Sequence, residues 1–498
     1  MWARSINSAH LGQIMKLKPV TAWTIIALLL ASAILICALP IGKSFFAYAF
    51  SPPATEWSKT YGGAGNDGAY YVIQTSDGGY ALAGFTSPSG TNNHDFWLIK
   101  TDSSGTVQWS KTYGGNGIDD AYSVIETADG GYAMAGFTNS SGAGNYDGWL
   151  VKVDSSGNMQ WNKTYGGATA DDLYTVVQTG DGGYALVGYT TSFGAGAADG
   201  RLVKVDSSGN LLWSQTYGGT GVDDAVSMVK TSDGGYALVG FTRSFGVGGT
   251  DFWLVKVDSE GVLQWNKTYG GPSDDSAHSV VQTGDGGYAL AGFTSSFGSG
   301  GGDFWLVKVD SSGNMQWNRT FGGHGMDNAV SLVKTSDGGY ALAGYTGSFG
   351  AGSSDVWVVK TDSFGNLVWS QTYGGAGADY AYSIIQTSDG GYALAGNTAS
   401  FGTGSSDCYF VKIAAESPDS SPSASPTNSP TQTPTSNPSA SPSSTPVVPE
   451  FPMVAVLLVM VVAGLMVGRL KEKVLQCASS QIWMWHSELM VKEKRAGY

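Results

Sequence analysis

Seven aspartates recur along the chain at intervals of 52 residues, each after a glycine-rich stretch such as TYGGAGN. If the repeats close into a ring, these carboxylates form a circle that could bind Ca²⁺ or cationic groups, because hard cations prefer oxygen ligands. Alternatively, each carboxylate accepts hydrogen bonds from its own loop, and the absence of a D-x-D-x-D-G calcium loop from the sequence favours this second interpretation. The seven are Asp67, Asp119, Asp171, Asp223, Asp275, Asp327 and Asp379.

Few other residues in the repeats could do acid–base chemistry. Arg201 stands where other repeats have Trp or Tyr, and His278 replaces Tyr or Val in a predicted inner strand, whereas His94, Arg243 and His324 lie in loops. A hydrolase needs a carboxylate pair, or a nucleophile with its base, at one place. Because these residues belong to different repeats and the sequence does not bring them together, we predict a protein that is not an enzyme.

Charge and cysteine content exclude two classes of protein. The formal net charge of −14 argues against nucleic-acid binding, which needs a basic face for phosphates. Of the three cysteines, Cys37, Cys408 and Cys477, only Cys408 lies in the repeats, so a disulfide framework is excluded.

Each repeat has the pattern of four short strands. In one unit, Ala121–Thr127, Tyr132–Thr138, Trp149–Val153 and Gln160–Tyr165 are rich in β-forming residues and are separated by glycine turns such as Asp129-Gly130-Gly131. Seven such units without a helical period predict an all-β fold, a seven-bladed β-propeller of 52-residue, four-stranded blades.

The repeats begin and end out of phase, which predicts how the ring closes. The array over residues 54–413 opens with a lone fourth strand, Glu56–Tyr61, and closes after a third strand, Tyr409–Ile413. The N-terminal strand should therefore complete the last blade, with Trp57 as its main apolar contact.

The loops of one predicted face differ most among the repeats. SPSGTNNHD at Ser87–Asp95 corresponds to SSFGSGGGD at Ser295–Asp303, whereas the DGGY and DSSGN turns of the opposite face barely change. We therefore expect the binding site on the varied face.

The segment 1–49 is predicted to be a signal peptide or an N-terminal membrane anchor. Val20–Leu39 is an apolar run long enough to cross a bilayer, and Ala47-Tyr48-Ala49 has the form of a cleavage site. Residues 416–448 are almost wholly Ser, Thr and Pro, a composition typical of an unfolded, O-glycosylated stalk.

The segment 449–473 predicts a transmembrane helix followed by a basic stop. Together with the preceding stalk, the tripeptide Pro449, Glu450 and Phe451 before this span resembles the archaeal PEF-type C-terminal sorting signal. The resemblance implies processing by an archaeosortase-type enzyme, and a plain membrane anchor is the alternative. Residues 474–498 extend beyond the usual end of such signals, and we assign them no role.

The repeats also resemble a known family. TYGG at Thr60–Gly63, GFT at Gly84–Thr86 and DFWLIK at Asp95–Lys100 are similar to the β-propeller repeats of bacterial and archaeal surface proteins. The resemblance covers residues 54–413 and implies an extracellular propeller, without catalytic residues that could be carried over.

These observations predict a propeller at the cell surface, anchored in the membrane, that binds a protein, a glycan or an envelope component. The alternatives are an extracellular carbohydrate-active enzyme, a lyase or hydrolase, and a purely structural surface-layer component. We predict no cofactor other than the Ca²⁺ considered above. N-glycosylation is predicted at Asn139, Asn162, Asn266 and Asn318, which lie in N-x-S/T sequons.

Overall fold

The computed structural model describes residues 51–91 and 93–416. This part of the chain forms 28 β-strands and contains no α-helix, so no helix within it could span a membrane. The predicted N-terminal segment 1–49, the sorting segment 449–473 and the tail 474–498 lie outside the described residues, as does the predicted stalk after Glu416.

Every repeat contributes strands of seven or eight residues at the same positions. In chain order they are β1 Thr55–Tyr61, β2 Asp67–Gln74, β3 Tyr80–Thr86, β4 Asp95–Thr101, β5 Val107–Tyr113, β6 Asp119–Glu126, β7 Tyr132–Thr138, β8 Asp147–Val153, β9 Met159–Tyr165, β10 Asp171–Gln178, β11 Tyr184–Thr190, β12 Asp199–Val205, β13 Leu211–Tyr217, β14 Asp223–Lys230, β15 Tyr236–Thr242, β16 Asp251–Val257, β17 Leu263–Tyr269, β18 Asp275–Gln282, β19 Tyr288–Thr294, β20 Asp303–Val309, β21 Met315–Phe321, β22 Asp327–Lys334, β23 Tyr340–Thr346, β24 Asp355–Thr361, β25 Leu367–Tyr373, β26 Asp379–Gln386, β27 Tyr392–Thr398 and β28 Asp407–Ile413.

The strands form seven antiparallel sheets of four, which are the blades of a seven-bladed β-propeller. Blade 1 consists of β2–β5, and each later blade takes the next four strands, up to blade 6 with β22–β25. The first strand of each blade is innermost and lines the axis. Blade 7 contains β26, β27 and β28, and its fourth strand is β1.

The N-terminal strand closes the ring, as the phase of the repeats predicts. Trp57 is paired with Lys412 and Thr60 with Tyr409 in an antiparallel ladder. The Trp57 ring meets Phe410 edge to face, with 4.9 Å between the ring centroids. The first and last strands therefore share one blade.

Small residues allow neighbouring strands to pack closely. A Cβ atom on Gly84 would lie 2.1 Å from the carbonyl oxygen of Gly68, so any side chain there would push apart the two innermost strands of blade 1. Between blades, at five of the seven junctions, a tyrosine of the fourth strand donates to a turn carbonyl of the next blade, as Tyr113 does to Gly157 at 2.7 Å. These repeated contacts bind the ring together.

All seven innermost strands carry a β-bulge at one shared position. In blade 1, Ala69 pairs with Gly84 and Tyr71 with Ala83, so Tyr70 has no partner in the ladder. The same shift occurs in the other six blades. A bulge re-aims side chains, and here the bulged residue faces the axial channel.

Candidate functional site

The seven aspartates singled out from the sequence, called here the loop aspartates, are buried at the start of the innermost strands. Each accepts the backbone N–H of a glycine four residues earlier. Asp223, for example, is bound by Gly219 at 2.7 Å, by Thr242 Oγ1 and by Ser244 Oγ. Each of these carboxylates thus stabilises its own loop. Within residues 51–91 and 93–416, no three His, Cys, Asp or Glu side chains lie close enough together to hold a metal ion.

Two sets of loops share one face of the propeller, as the sequence predicts. The N–H of His94, in the loop between β3 and β4, donates to Gly117 O at 3.1 Å, and Asp119 N donates to His94 O at 2.9 Å. Gly117 belongs to the loop that joins blades 1 and 2. We call this side the loop face, and the side with the DGGY and DSSGN turns the turn face.

Five half-exposed phenylalanines form an arc on the loop face. Their exposed fractions are 41–47%. In blade 6 the Phe349 ring lies 5.2 Å from that of Trp357, and in blade 3 the Arg201 guanidinium lies 4.8 Å from the Phe193 ring. Ser89 and Ser141 take the same position in blades 1 and 2. The phenylalanine arc consists of Phe193, Phe245, Phe297, Phe349 and Phe401.

Arg201 is buried and fully engaged within the propeller. Its Nε donates to Ser214 Oγ at 2.9 Å and its Nη1 to Tyr165 O at 3.2 Å, with Asp171 Oδ1 at 3.5 Å. The substitution of an aromatic residue by Arg201 therefore serves packing between blades 2 and 3.

The bulged residues enclose an axial cavity of about 510 Å³. Tyrosines of four consecutive blades line one side, with neighbouring ring centroids 4.9–5.2 Å apart. Two valines and His278 line the other side, and the Nε2 atom of His278 is buried without a hydrogen-bond partner. In order around the axis, this channel ring is Tyr382, Tyr70, Tyr122, Tyr174, Val226, His278 and Val330.

A second ring of residues lies nearer the loop face, two positions before the channel ring on each innermost strand. Its residue types differ strongly from blade to blade. Three consecutive blades place aspartates there. Asp120 Oδ1 is 3.1 Å from Nδ1 of His94, whereas Asp172 and Asp224 each have an Oδ1 atom closed to solvent without a partner. This channel rim consists of Gly68, Asp120, Asp172, Asp224, Ser276, Asn328 and Tyr380.

Two rim carboxyls have strongly raised pKa values. Burial, followed by the charges of Asp120 and Asp171, raises the pKa of Asp172 to about 7. Burial and the charge of Asp172 raise the pKa of Asp224 likewise to about 7. Burial lowers the pKa of His278 to about 4, which keeps its imidazole neutral at pH 7. Sequence reasoning missed this rim, although doubled aspartates in IDDA, ADDL and VDDA mark it.

The remaining predicted residues lie apart from the channel. His324 is exposed in the loop between β21 and β22, in a different blade from His94 and His278. All four sequon asparagines are exposed: Asn139 in a loop of the loop face, and the other three on outer strands, Asn162, Asn266 and Asn318. Their exposure is compatible with glycosylation, which stays a prediction.

The chain matches no known family profile. The regulatory protein FlaEY of Caulobacter vibrioides is 26% identical over 249 residues, covering 47% of this chain and 24% of that protein. The matched part is thus about a quarter of that relative's length. The Pan2 WD40 domain of Neurospora crassa is 9% identical, with a TM-score of 0.44 over 70% of this chain and 89% of that one. BBS1N, solved in complex with ARL6DN, is 11% identical, with a TM-score of 0.43 over 73% and 97%.

Proposed function

We propose that this chain is a binding protein of the cell surface, whose loop face holds a protein partner. Surface placement is supported by the apolar segments within 1–49 and 449–473 and by the Ser/Thr/Pro composition of 416–448. The propeller would then stand outside the membrane, with the stalk as a spacer. Sorting by an archaeosortase-type enzyme belongs to the same proposal and rests on the resemblance at Pro449.

The phenylalanine arc carries the proposal. Each ring is already more than half buried, so burying the remainder contributes roughly 1 kcal/mol, about half of the value for a whole phenylalanine. Aromatic anchors dominate many protein interfaces. The rings are held at equal intervals on a closed and stiff frame, so little ordering is required on binding. Five blades carry the ring and two carry serine, which gives the loop face an apolar sector and a polar sector.

The chemistry of the arc favours a protein over a glycan. Phenylalanine offers no hydrogen bond, and glycans are bound by aromatic stacking combined with many polar contacts. Phe297, for example, is followed by Gly298, Ser299, Gly300 and Gly301, which carry only one side-chain hydroxyl. An apolar patch of a partner protein would satisfy these rings better.

Cross-linking and mass spectrometry of the full chain with envelope proteins from its own cells would test the proposal. The triple variant F245S, F297S and F349S gives three blades the serine that Ser89 and Ser141 already supply, so it should fold. The control is F364S, which removes an even more exposed phenylalanine, at 67%, from the turn face, where four other repeats carry serine.

We expect a discrete partner to be captured by the wild type and by F364S, with at least tenfold loss in the triple variant. Equal capture by the triple variant would exclude the arc as the contact. Capture of glycans alone would overturn the choice of a protein partner. Regular self-assembly without any partner would instead support the structural surface-layer alternative.

The raised pKa values of Asp172 and Asp224 favour one second candidate, acid–base catalysis on an extracellular polysaccharide. Incubation of the full chain with a polysaccharide panel, followed by measurement of new reducing ends or unsaturated products, would test it. Release that disappears in D172N and in D224N would establish an enzyme. If no product were released from any polysaccharide, the catalytic candidate would be rejected, and binding would remain the proposed function of the loop face.

A further inference from the structure

We propose that the axial channel, at its loop-face mouth, binds an organic cation through an ammonium or guanidinium group. The cation could belong to a small molecule or to a Lys or Arg side chain of a partner. This site is separate from the phenylalanine arc and depends on different residues.

The aromatic side of the channel ring is the first support. Tyr70 has Tyr382 on one side at 5.1 Å and Tyr122 on the other at 4.9 Å, and Tyr174 follows at 5.2 Å. Four adjacent rings form a concave wall at the loop-face end of an open volume of about 510 Å³, whose further lining residues follow the channel ring along the innermost strands. A cation within about 6 Å of a tyrosine ring is attracted by its π-electrons, most strongly where water is excluded.

Carboxylates of the channel rim lie beside the same tyrosines. Burial raises the pKa of Tyr174 most, and Asp224 and Asp172 are the next causes. Burial also leads for Tyr122, where Asp172 and Asp120 add to the effect of Tyr70. The three rim carboxyl groups therefore lie close to the tyrosine wall. The Oδ1 atoms of Asp172 and Asp224 have no hydrogen-bond partner, so no donor within the propeller neutralises them.

The opposite side of the ring supplies a neutral acceptor. His278 faces the wall from blade 5, between Val226 and Val330, and its Nε2 atom is unpartnered. Because burial keeps the imidazole uncharged at pH 7, it does not repel a cation. An N–H group of the ligand could donate to it.

The distribution of charge along the axis favours a cation at the loop-face mouth. Neither the channel ring nor the channel rim contains lysine or arginine, whereas the last residues of the innermost strands, towards the turn face, include Lys230, Lys334 and Glu126. An anion would meet three carboxylates at the loop face. The ionisable residues of the channel rim are therefore all acidic, which favours cations over anions at this site.

Calorimetric titration of the full chain would test the site with choline, with N-acetyl-lysine methylamide, and with 3,3-dimethyl-1-butanol, the uncharged analogue of choline. The variants are Y122V and D224N. Valine already occupies the ring position in blades 4 and 6, and asparagine occupies the rim position in blade 6, so both should fold. F364S, on the turn face, is the control.

We expect at least one cation to bind tenfold more tightly than the neutral analogue, and each channel variant to weaken it about tenfold, with F364S unchanged. Preference for choline indicates a small-molecule ligand, and preference for the lysine derivative indicates a partner's side chain. Equal binding of the neutral analogue, no binding of either cation, or indifference to Y122V and D224N would overturn the proposal.

The pH dependence gives a second readout. The charges of Asp120, which lies beside His94, and of Asp171 raise the pKa of Asp172. Asp172 also forms a hydrogen bond with Tyr189, and its charge in turn raises the pKa of Asp224. Rim carboxyls that ionise near pH 7 should strengthen cation binding between pH 5.5 and pH 8. D224N should flatten this profile, and an unchanged profile in D224N would contradict its role.

Discussion

The two adjacent aspartates of the VDDA stretch, Asp223 and Asp224, belong to two different regions of the molecule. One region is the frame, the set of contacts that holds the blades together, and the other is the axial channel. An aspartate occupies the position of Asp223 in all seven blades, and Asp223 itself is buried and accepts hydrogen bonds from Gly219, Thr242 and Ser244. Asp224 has counterparts as different as glycine and tyrosine, and one of its oxygens has no partner. One strand thus carries a uniform frame residue and a channel residue that breaks the symmetry.

The two aspartates illustrate the difference between residues that hold the blades together and residues that can recognise a partner. Residues that must fit a copy of the same blade are equal in every repeat, because each blade meets the same surroundings. Residues that face the axis or the loop face have no such constraint. They can differ, and an asymmetric partner requires that they do. The phenylalanine arc differs between blades in the same way, because five blades carry the ring and two do not.

Removal of the closing strand β1 should lower the stability of the propeller more than any other change, because the ring can then no longer close. Deletion of Thr55–Gly63 exposes the edge of β28 and removes one quarter of blade 7. We expect loss of the single cooperative thermal transition. A peptide of residues 51–63 added in trans should restore it in a concentration-dependent manner. An unchanged melting curve after the deletion would contradict ring closure.

Substitution of the closing tryptophan should cost less, about 2–4 kcal/mol, because Trp57 is only half-buried. Its distance of 6.2 Å to Tyr80 of blade 1 matches that of Trp265 in blade 4 to Tyr288 in blade 5. If the frame is uniform, W57A and W265A should lower the free energy of unfolding equally within about 1 kcal/mol. Chemical denaturation of both variants checks this, and a negligible cost for W57A alone would show that closure is loose.

The channel rim should give stability a distinctive pH dependence. Asp172 and Asp224 have pKa values of about 7 in the folded protein, against about 3.9 in an unfolded chain. Between about pH 4 and pH 7 the folded state keeps protons that the unfolded state releases, so these groups lower stability as the pH rises. Above pH 7 their effect is constant.

The double variant D172N and D224N isolates this effect. His278, with a pKa lowered to about 4, acts in the opposite direction, because the unfolded chain takes up its proton first as the pH falls. We therefore expect the difference between double variant and wild type to grow in favour of the variant from pH 4.5 to pH 8. Denaturation curves at three pH values measure it, and a constant difference would refute the raised pKa values.

The smallest effect is expected on the loop face. F297S replaces a half-exposed ring by the residue found in blades 1 and 2, and should change the free energy of unfolding by no more than about 1 kcal/mol. Thermal unfolding checks this. A loss of several kcal/mol would show that the arc belongs to the frame and is not kept for a partner.

The sequence predicts the frame well because every blade repeats the same information. Strand positions, the glycine turns, the two faces and the partner of β1 all follow from a period of 52 residues and its phase. The channel was harder to predict. A β-bulge at Tyr70 aims that residue at the axis, and an alternating strand pattern does not reveal a bulge.

The candidate site was missed for a related reason. Uniform aspartates such as Asp67 drew attention because they recur, yet recurrence marks their place in the frame. Asp172 and Phe297 are signalled by differences between repeats, and those differences acquire meaning only when the topology brings consecutive blades side by side.

The most direct test of the account is thermal unfolding of D223N and D224N at pH 8. In D223N an amide NH₂ group would face N–H and O–H donors, so we expect a loss of about 2–4 kcal/mol. In D224N a buried charge disappears, so we expect stability equal to or above that of the wild type. If D224N loses as much stability as D223N, the distinction between frame and channel is wrong.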